Sequence, residues 1–170
     1  TATDIERTAD RLARRVEDFA RRCDRVVVVG HSLGGFLAQL VLQSDAPPSA
    51  IAGFVAICAP LHGTWRAKLS PHPVLRTLRP DGALVGRALA SRDRLARLRG
   101  NILTIGTCRD AFIDPIASAF LDGHAKLELE DIGHAGSLLH GRVHEAVREL
   151  CRKAGTDATE VPPGRGAGAH

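Results

Sequence analysis

The stretch Gly30-His31-Ser32-Leu33-Gly34-Gly35 sets a serine among glycines, directly after the run Arg25–Gly30 (RVVVVG) and directly before a helical pattern that starts at Leu33. A serine hydroxyl is a weak nucleophile until its surroundings activate it. A strand that turns sharply into a helix supplies part of that activation. It lifts Ser32 Oγ to the C-terminal edge of a sheet and points the Leu33 N–H at a developing oxyanion. The dipole of the following helix favours negative charge at the same place. Gly30 and Gly34 are expected to let strand and helix approach closely. The competing reading is a serine that merely caps the helix. A phosphate-binding loop is disfavoured, because the lysine of G-x-x-x-x-G-K-[ST] is missing. Cys23, Cys58, Cys108 and Cys151 form no C-x-x-C pair, and no pair of histidines with an Asp or Glu has convincing metal-ligand spacing. No metal and no cofactor is therefore expected.

The elements that must position Ser32 can be read from periodicity. Ile5, Ala9, Leu12, Val16, Phe19 and Cys23 recur at steps of three or four and predict an N-terminal helix. Arg25–Gly30, Ile51–Cys58 and Asn101–Thr107 are short apolar runs that predict strands, and Ala125–Asp131 is expected to be a fourth. Leu33–Leu42 and the Val143, Val147, Leu150, Cys151 face predict further helices. Strands alternating with helices predict a parallel α/β sheet. The segment 64–99 is too long for a plain connection and contains a predicted helix over 83–98. From Gly155 onward glycine, proline, alanine and threonine without periodicity predict a disordered tail. The 170 residues suit one domain, with 44% hydrophobic and 25% charged residues. No stretch approaches the roughly 20 apolar residues of a membrane span. The net charge of +4 comes mostly from arginine, and there is no tyrosine to stack on bases. Nucleic-acid binding is therefore not expected.

Gly-His-Ser-Leu-Gly-Gly resembles the nucleophile elbow of bacterial lipases and esterases of the α/β-hydrolase superfamily. Ala59-Pro60-Leu61-His62-Gly63-Thr64 is similar to the Pro-His-x-Gly-Thr stretch that follows the next strand in many of them. The resemblance covers residues 1–154 and implies the order serine, acid, histidine. It puts the acid on Asp110, in Asp110-Ala111-Phe112-Ile113-Asp114-Pro115, with Asp114 as the rival whose bland role is capping. It puts the base on His134, in Asp131-Ile132-Gly133-His134, with Nδ1–H bonded to Asp110 and Nε2 left for the serine proton. Leu33 becomes an oxyanion donor. His31 and His62 become wall or shaping residues of the substrate site.

The same resemblance implies a three-layer half-sheet of about four parallel strands flanked by helices, with the earlier strands of the fold missing. Arg25–Gly30 would then be an edge, and an upstream segment of a longer chain is expected to cover it and to supply the second oxyanion donor. Segment 64–99 falls where lipase-like members place a lid or acyl pocket, lined here by Leu75, Leu78, Leu84, Val85 and Leu89. Its Arg66, Lys68, Arg76, Arg79, Arg87, Arg92, Arg94, Arg97 and Arg99 outnumber Asp81 and Asp93. Attraction to a membrane surface competes there with a simple solvated face. The expected partner is an ester or lipid substrate. Acyl transfer by the same three residues, and a truncated non-catalytic binding domain, are the alternatives.

Overall fold

The computed structural model describes residues 2–98 and 100–156. Helix α1 (Ala2–Ala20) leads to strand β1 (Val26–His31), helix α2 (Leu33–Leu42) and strand β2 (Ile51–Ile57). Two short helices, α3 (Pro73–Arg76) and α4 (Ala83–Ala90), follow, with 3-10 turns at Trp65–Leu69 and Arg92–Leu98 on either side of them. Strand β3 (Ile102–Arg109), strand β4 (Ala125–Gly133) and helix α5 (Gly141–Thr156) complete the chain. The expected single helix over 83–98 is broken at Ser91, where α4 ends and the tighter turn begins. Of the tail expected from Gly155, Gly155 and Thr156 belong to α5 instead, and residues 157–170 lie outside the described residues.

The sheet has the order β1-β2-β3-β4, and every neighbouring pair is parallel. Each strand therefore ends at the same edge, which is where ligands meet open α/β sheets. Side chains of a strand alternate between faces, and the core divides accordingly. Phe54 and Ala56 of β2 pack with Ala38, Val41 and Leu42 of α2 and with Ala9 and Val16 of α1. Val55 and Ile57 face the other way, onto Leu103, Ile105 and Leu129 and onto Val143 and Leu150 of α5. Burial of β2 on both faces explains why its sequence is continuously apolar. A third cluster joins Ile5 of α1 and Phe36 of α2 to Leu78, Leu84, Val85 and Ala88 of the 64–99 segment. That segment is thus anchored on the core.

Among the described residues β1 pairs only with β2, so its other edge carries no strand. Val29 on β1 is 47% exposed and Phe19 at the end of α1 is 64% exposed. This is the half-sheet expected from the sequence, with the elbow strand at its rim.

Candidate active site

Ser32 joins β1 to α2 at φ 53° and ψ −127°, a conformation that costs a non-glycine residue about 1–3 kcal/mol. The turn is fixed from both sides. Ser32 N–H donates to Ile57 O at 2.9 Å, and Gly35 N–H donates to Ser32 O at 3.0 Å. Ser32 occupies the cap position of α2, yet its side chain makes no capping hydrogen bond. The hydroxyl is not consumed by the helix, which argues against the simple cap. The first amides of a helix lack intrahelical partners, and Leu33 supplies the first of them here.

The glycines divide their work differently from the sequence expectation. A Cβ on Gly30 would lie 2.6 Å from Gly35 Cα, and one on Gly35 would lie 2.5 Å from Ala59 Cβ. A Cβ on Gly34 would meet nothing within 4 Å. Strand and helix meet most closely through Gly30 and Gly35, whereas a side chain at Gly34 would enter open space.

Asp110 and His134 come together through sheet register. Arg109 of β3 pairs with Gly133 of β4, so the next residue of each strand leaves the sheet beside the other. Asp110 Oδ2 accepts a hydrogen bond from His134 Nδ1 at 2.7 Å, with the two side chains only 3% and 11% exposed. Asp110 Oδ1 accepts from the amides of Phe112 at 2.8 Å and Ile113 at 3.0 Å. Burial pushes the Asp110 carboxyl up, but the hydrogen bonds from His134 and these two amides outweigh it and hold the group below the usual carboxylate range. Donation from Nδ1 leaves Nε2 of a neutral His134 as a proton acceptor.

The imidazole reaches the region of Ser32 through two contacts. The ring of His31, the residue before Ser32, lies 4.7 Å from that of His134, and the Phe112 ring packs edge-on against it at 5.0 Å. Phe112 also lines the cavity into which Ser32 opens. Ser32 Oγ and His134 make no direct hydrogen bond among the described residues. Catalytic hydrogen bonds are often long before substrate binds.

That cavity has a volume of about 460 Å³. Leu33, Pro60, Ala67, Leu75, Leu78 and Ile113 make its wall mostly apolar, with Arg66 as its charged member. Leu75 and Leu78 line it as expected. Leu84 and Val85 do not, since they are spent on the core beneath Phe36, and Leu89 packs against the same cluster. Arg66, Lys68, Arg79, Arg87 and Arg94 are each ion-paired, with Asp114, Asp81, Asp81, Glu6 and Asp45 respectively. Much of the positive charge on this segment is therefore answered locally.

Two expected wall residues lie elsewhere. His31 turns to His134: its Nε2 donates to the His134 carbonyl at 3.1 Å. His62 lines a separate cavity with Arg92, Leu95, Asp122 and His124. Gly63, at φ +81°, turns the chain immediately after it and sends Thr64 toward the acid loop instead. Asp114 holds Arg66 at 3.3 Å and does not meet His134. The 3-10 turn that follows it has Pro115, not Asp114, at its cap position.

Thr64 was invisible as a site residue in the sequence. Its buried Oγ1 donates to Phe112 O at 2.7 Å and accepts from Asp114 N at 3.1 Å, locking the acid loop to the start of the Trp65–Leu69 turn. Its place after His62-Gly63 was the available signal. Among the described residues, the one group of three metal-ligating side chains is Cys58, Asp110 and His134, whose ligand atoms lie within 4.8 Å of one another. Asp110 and His134 there already share a proton, and burial pushes the Cys58 thiol up to about 11.

The model of the Alpha/beta hydrolase family matches residues 1–150, and the chain belongs to that family. Among solved structures, a carboxylesterase of the thaumarchaeon Nitrososphaera gargenis aligns over 90% of this chain and 73% of its own, at 11% identity and a TM-score of 0.57. Lipase B of Aspergillus fumigatus aligns over 74% of this chain at 21% identity and a TM-score of 0.54, but only 34% of the lipase is covered. MGS-MChE2, an α/β-hydrolase enzyme from a lagoon-sediment metagenome, aligns over 85% of this chain and 70% of its own at 18% identity and a TM-score of 0.51. These likenesses concern the fold. No match to a curated protein was found by sequence.

Proposed function

We propose that this chain carries the nucleophile, acid and base of a serine hydrolase that cleaves carboxylic esters. The observation that carries the reading is the 2.7 Å bond between the part-buried Asp110 and His134, beside the apolar cavity onto which Ser32 opens. In this reading His134 Nε2 takes the proton of Ser32 Oγ as the oxygen attacks the ester carbonyl. Asp110 holds the tautomer and stabilises the imidazolium that forms. The Leu33 N–H donates to the oxyanion, in a field favoured by the start of α2. The imidazolium then protonates the leaving alkoxide. Water repeats the cycle on the acyl-enzyme, with His134 again as base. The cavity suits an apolar acyl chain of medium length, since its wall offers little but Arg66 to a polar group.

The test is covalent. A fluorophosphonate probe should label wild-type protein at Ser32, and p-nitrophenyl ester turnover should vanish in Ser32→Ala while the fold persists. Full turnover in Ser32→Ala would end the mechanism. A folded wild-type chain that neither labels nor turns over would favour a non-catalytic binding role or a site that another segment must complete.

A further inference from the structure

His134 follows β4, whereas Ser32 follows β1, three strand spacings away. At about 4.8 Å per strand that is roughly 14 Å. The loop after β4 must therefore fold back across the ends of β3 and β2, and the sheet's own hydrogen bonds do nothing to hold it there. The bond to Asp110 fixes one ring nitrogen but not the backbone from which the ring hangs.

Two side chains hold that backbone. The His134 carbonyl accepts from His31 Nε2 at 3.1 Å and from Ser137 Oγ at 2.7 Å. His31 is the last residue of β1. Ser137 is fully buried and in turn accepts from Cys58 Sγ at 3.4 Å, at the end of β2. The carbonyl is thus tied to β1 directly and to β2 through a relay. We infer that His31 and Ser137 form a two-sided clamp on the His134 carbonyl, and that this clamp positions the imidazole above the elbow. The inference rests on the reading of His134 as the base and deepens it. Both are positioning residues, since they act through His134.

The chemistry of each member fits. Donation from Nε2 requires the Nε2–H tautomer of His31. Burial lowers the pKa of His31, which favours the neutral ring. A second cation 4.7 Å from the His134 ring would oppose the imidazolium that catalysis forms. Burial keeps the Cys58 thiol protonated, hence a donor to Ser137.

The experiment compares His31→Leu, His31→Gln and Ser137→Ala in the whole chain. His31→Leu removes the donor, and His31→Gln restores an N–H at similar reach. Turnover of p-nitrophenyl butyrate is resolved into kcat and KM. In parallel, NMR follows solvent exchange of the His134 Nδ1 proton, which reads the loop even where turnover is nil. With an angstrom of misplacement costing up to about 10²-fold, His31→Leu and Ser137→Ala should lose roughly 10–10²-fold in kcat, at nearly constant KM. Exchange of the Nδ1 proton should quicken in both, and His31→Gln should recover most of each loss. Unchanged kcat and unchanged proton exchange in His31→Leu would overturn the clamp, as would equal losses in His31→Leu and His31→Gln. Ser32→Ala is the separating control: turnover surviving that change refutes the hydrolase reading, whereas proton exchange still reports on the clamp.

Discussion

Replacing Gly30 with alanine would drive a methyl group into backbone. The added Cβ would lie 2.6 Å from Gly35 Cα, 2.6 Å from Gly35 N and 2.7 Å from Gly34 C. Carbon atoms pack comfortably at about 3.5–4.0 Å, so β1 and α2 would have to part by about 1 Å. No flexible side chain is available to yield. The displacement would load the turn held by Ser32 N–H to Ile57 O and Gly35 N–H to Ser32 O, at a residue already in a costly conformation. Overpacking typically costs 1–3 kcal/mol, and the upper end, about 3 kcal/mol, is expected here. Gly34→Ala is the matched control: its Cβ meets nothing within 4 Å, and alanine in a helix gains up to about 0.5–1 kcal/mol over glycine. In urea, with a slope of about 2 kcal/mol per M, Gly30→Ala should unfold about 1.5 M earlier than wild type. Gly34→Ala should unfold at or slightly above it. Midpoints for the two variants within about 0.3 M of each other, or a greater loss in Gly34→Ala, would refute the assignment of the close contact to Gly30 and Gly35.

Further outcomes follow from the site's chemistry. Asp110 has a folded pKa below its ordinary value, so its ionisation stabilises the fold fully above about pH 4 and less as pH falls through the folded value. The stability difference between wild type and Asp110→Asn in urea titrations should therefore shrink between pH 6 and pH 3; a constant difference would count against the Asp110–His134 pair. Burial lowers the His31 pKa, so protonating His31 destabilises the fold as pH drops below about 6.5, and His31→Gln should flatten that part of the profile. Cys23, Cys108 and Cys151 are exposed and should react quickly with iodoacetamide at pH 8. Cys58, with its pKa pushed up to about 11, is thiolate only at about one part in 10³ at that pH and should react last, on the timescale of unfolding. Early modification of Cys58 in peptide mapping would contradict its buried place behind Ser137.

Much of the fold was legible because its signals are local. The continuous apolar run at 51–57 describes a strand buried on both faces, whereas the four valines before Gly30 form a strand covered only in part, with Val29 exposed; strand placement followed within a residue or two. Helix α2 was read at its full extent, Leu33–Leu42. The break of the 83–98 helix at Ser91 was not legible, because leucines and arginines continue the same pattern across it. Phe19 belonged to the helical periodicity but stays exposed, since periodicity shows which residues share a face and not whether another layer lies over it.

The site was legible where it depends on chain order and illegible where it depends on a backbone atom or on register. Asp110 and Asp114 are both carboxylates just past β3, and nothing in their types separates them. The pairing of Arg109 with Gly133 does separate them, because it releases Asp110 beside His134 and carries Asp114 four residues onward to Thr64 and Arg66. A slip of one residue in that pairing would turn the strand's side chains to the opposite face and dissolve the choice. Thr107 opposes such a slip: its buried hydroxyl donates to Ile132 O and accepts from Arg109 N at 3.2 Å, across the irregularity between Thr107 and Arg109. His31 and Ser137 escape sequence reading for a related reason. Their common partner is the carbonyl of His134, 103 residues from His31, and a peptide oxygen has no residue type to mark it. Side-chain identity therefore names the candidate reacting groups of the proposed hydrolase, while the atoms that would aim them belong to the backbone, and only the folded chain brings those into view.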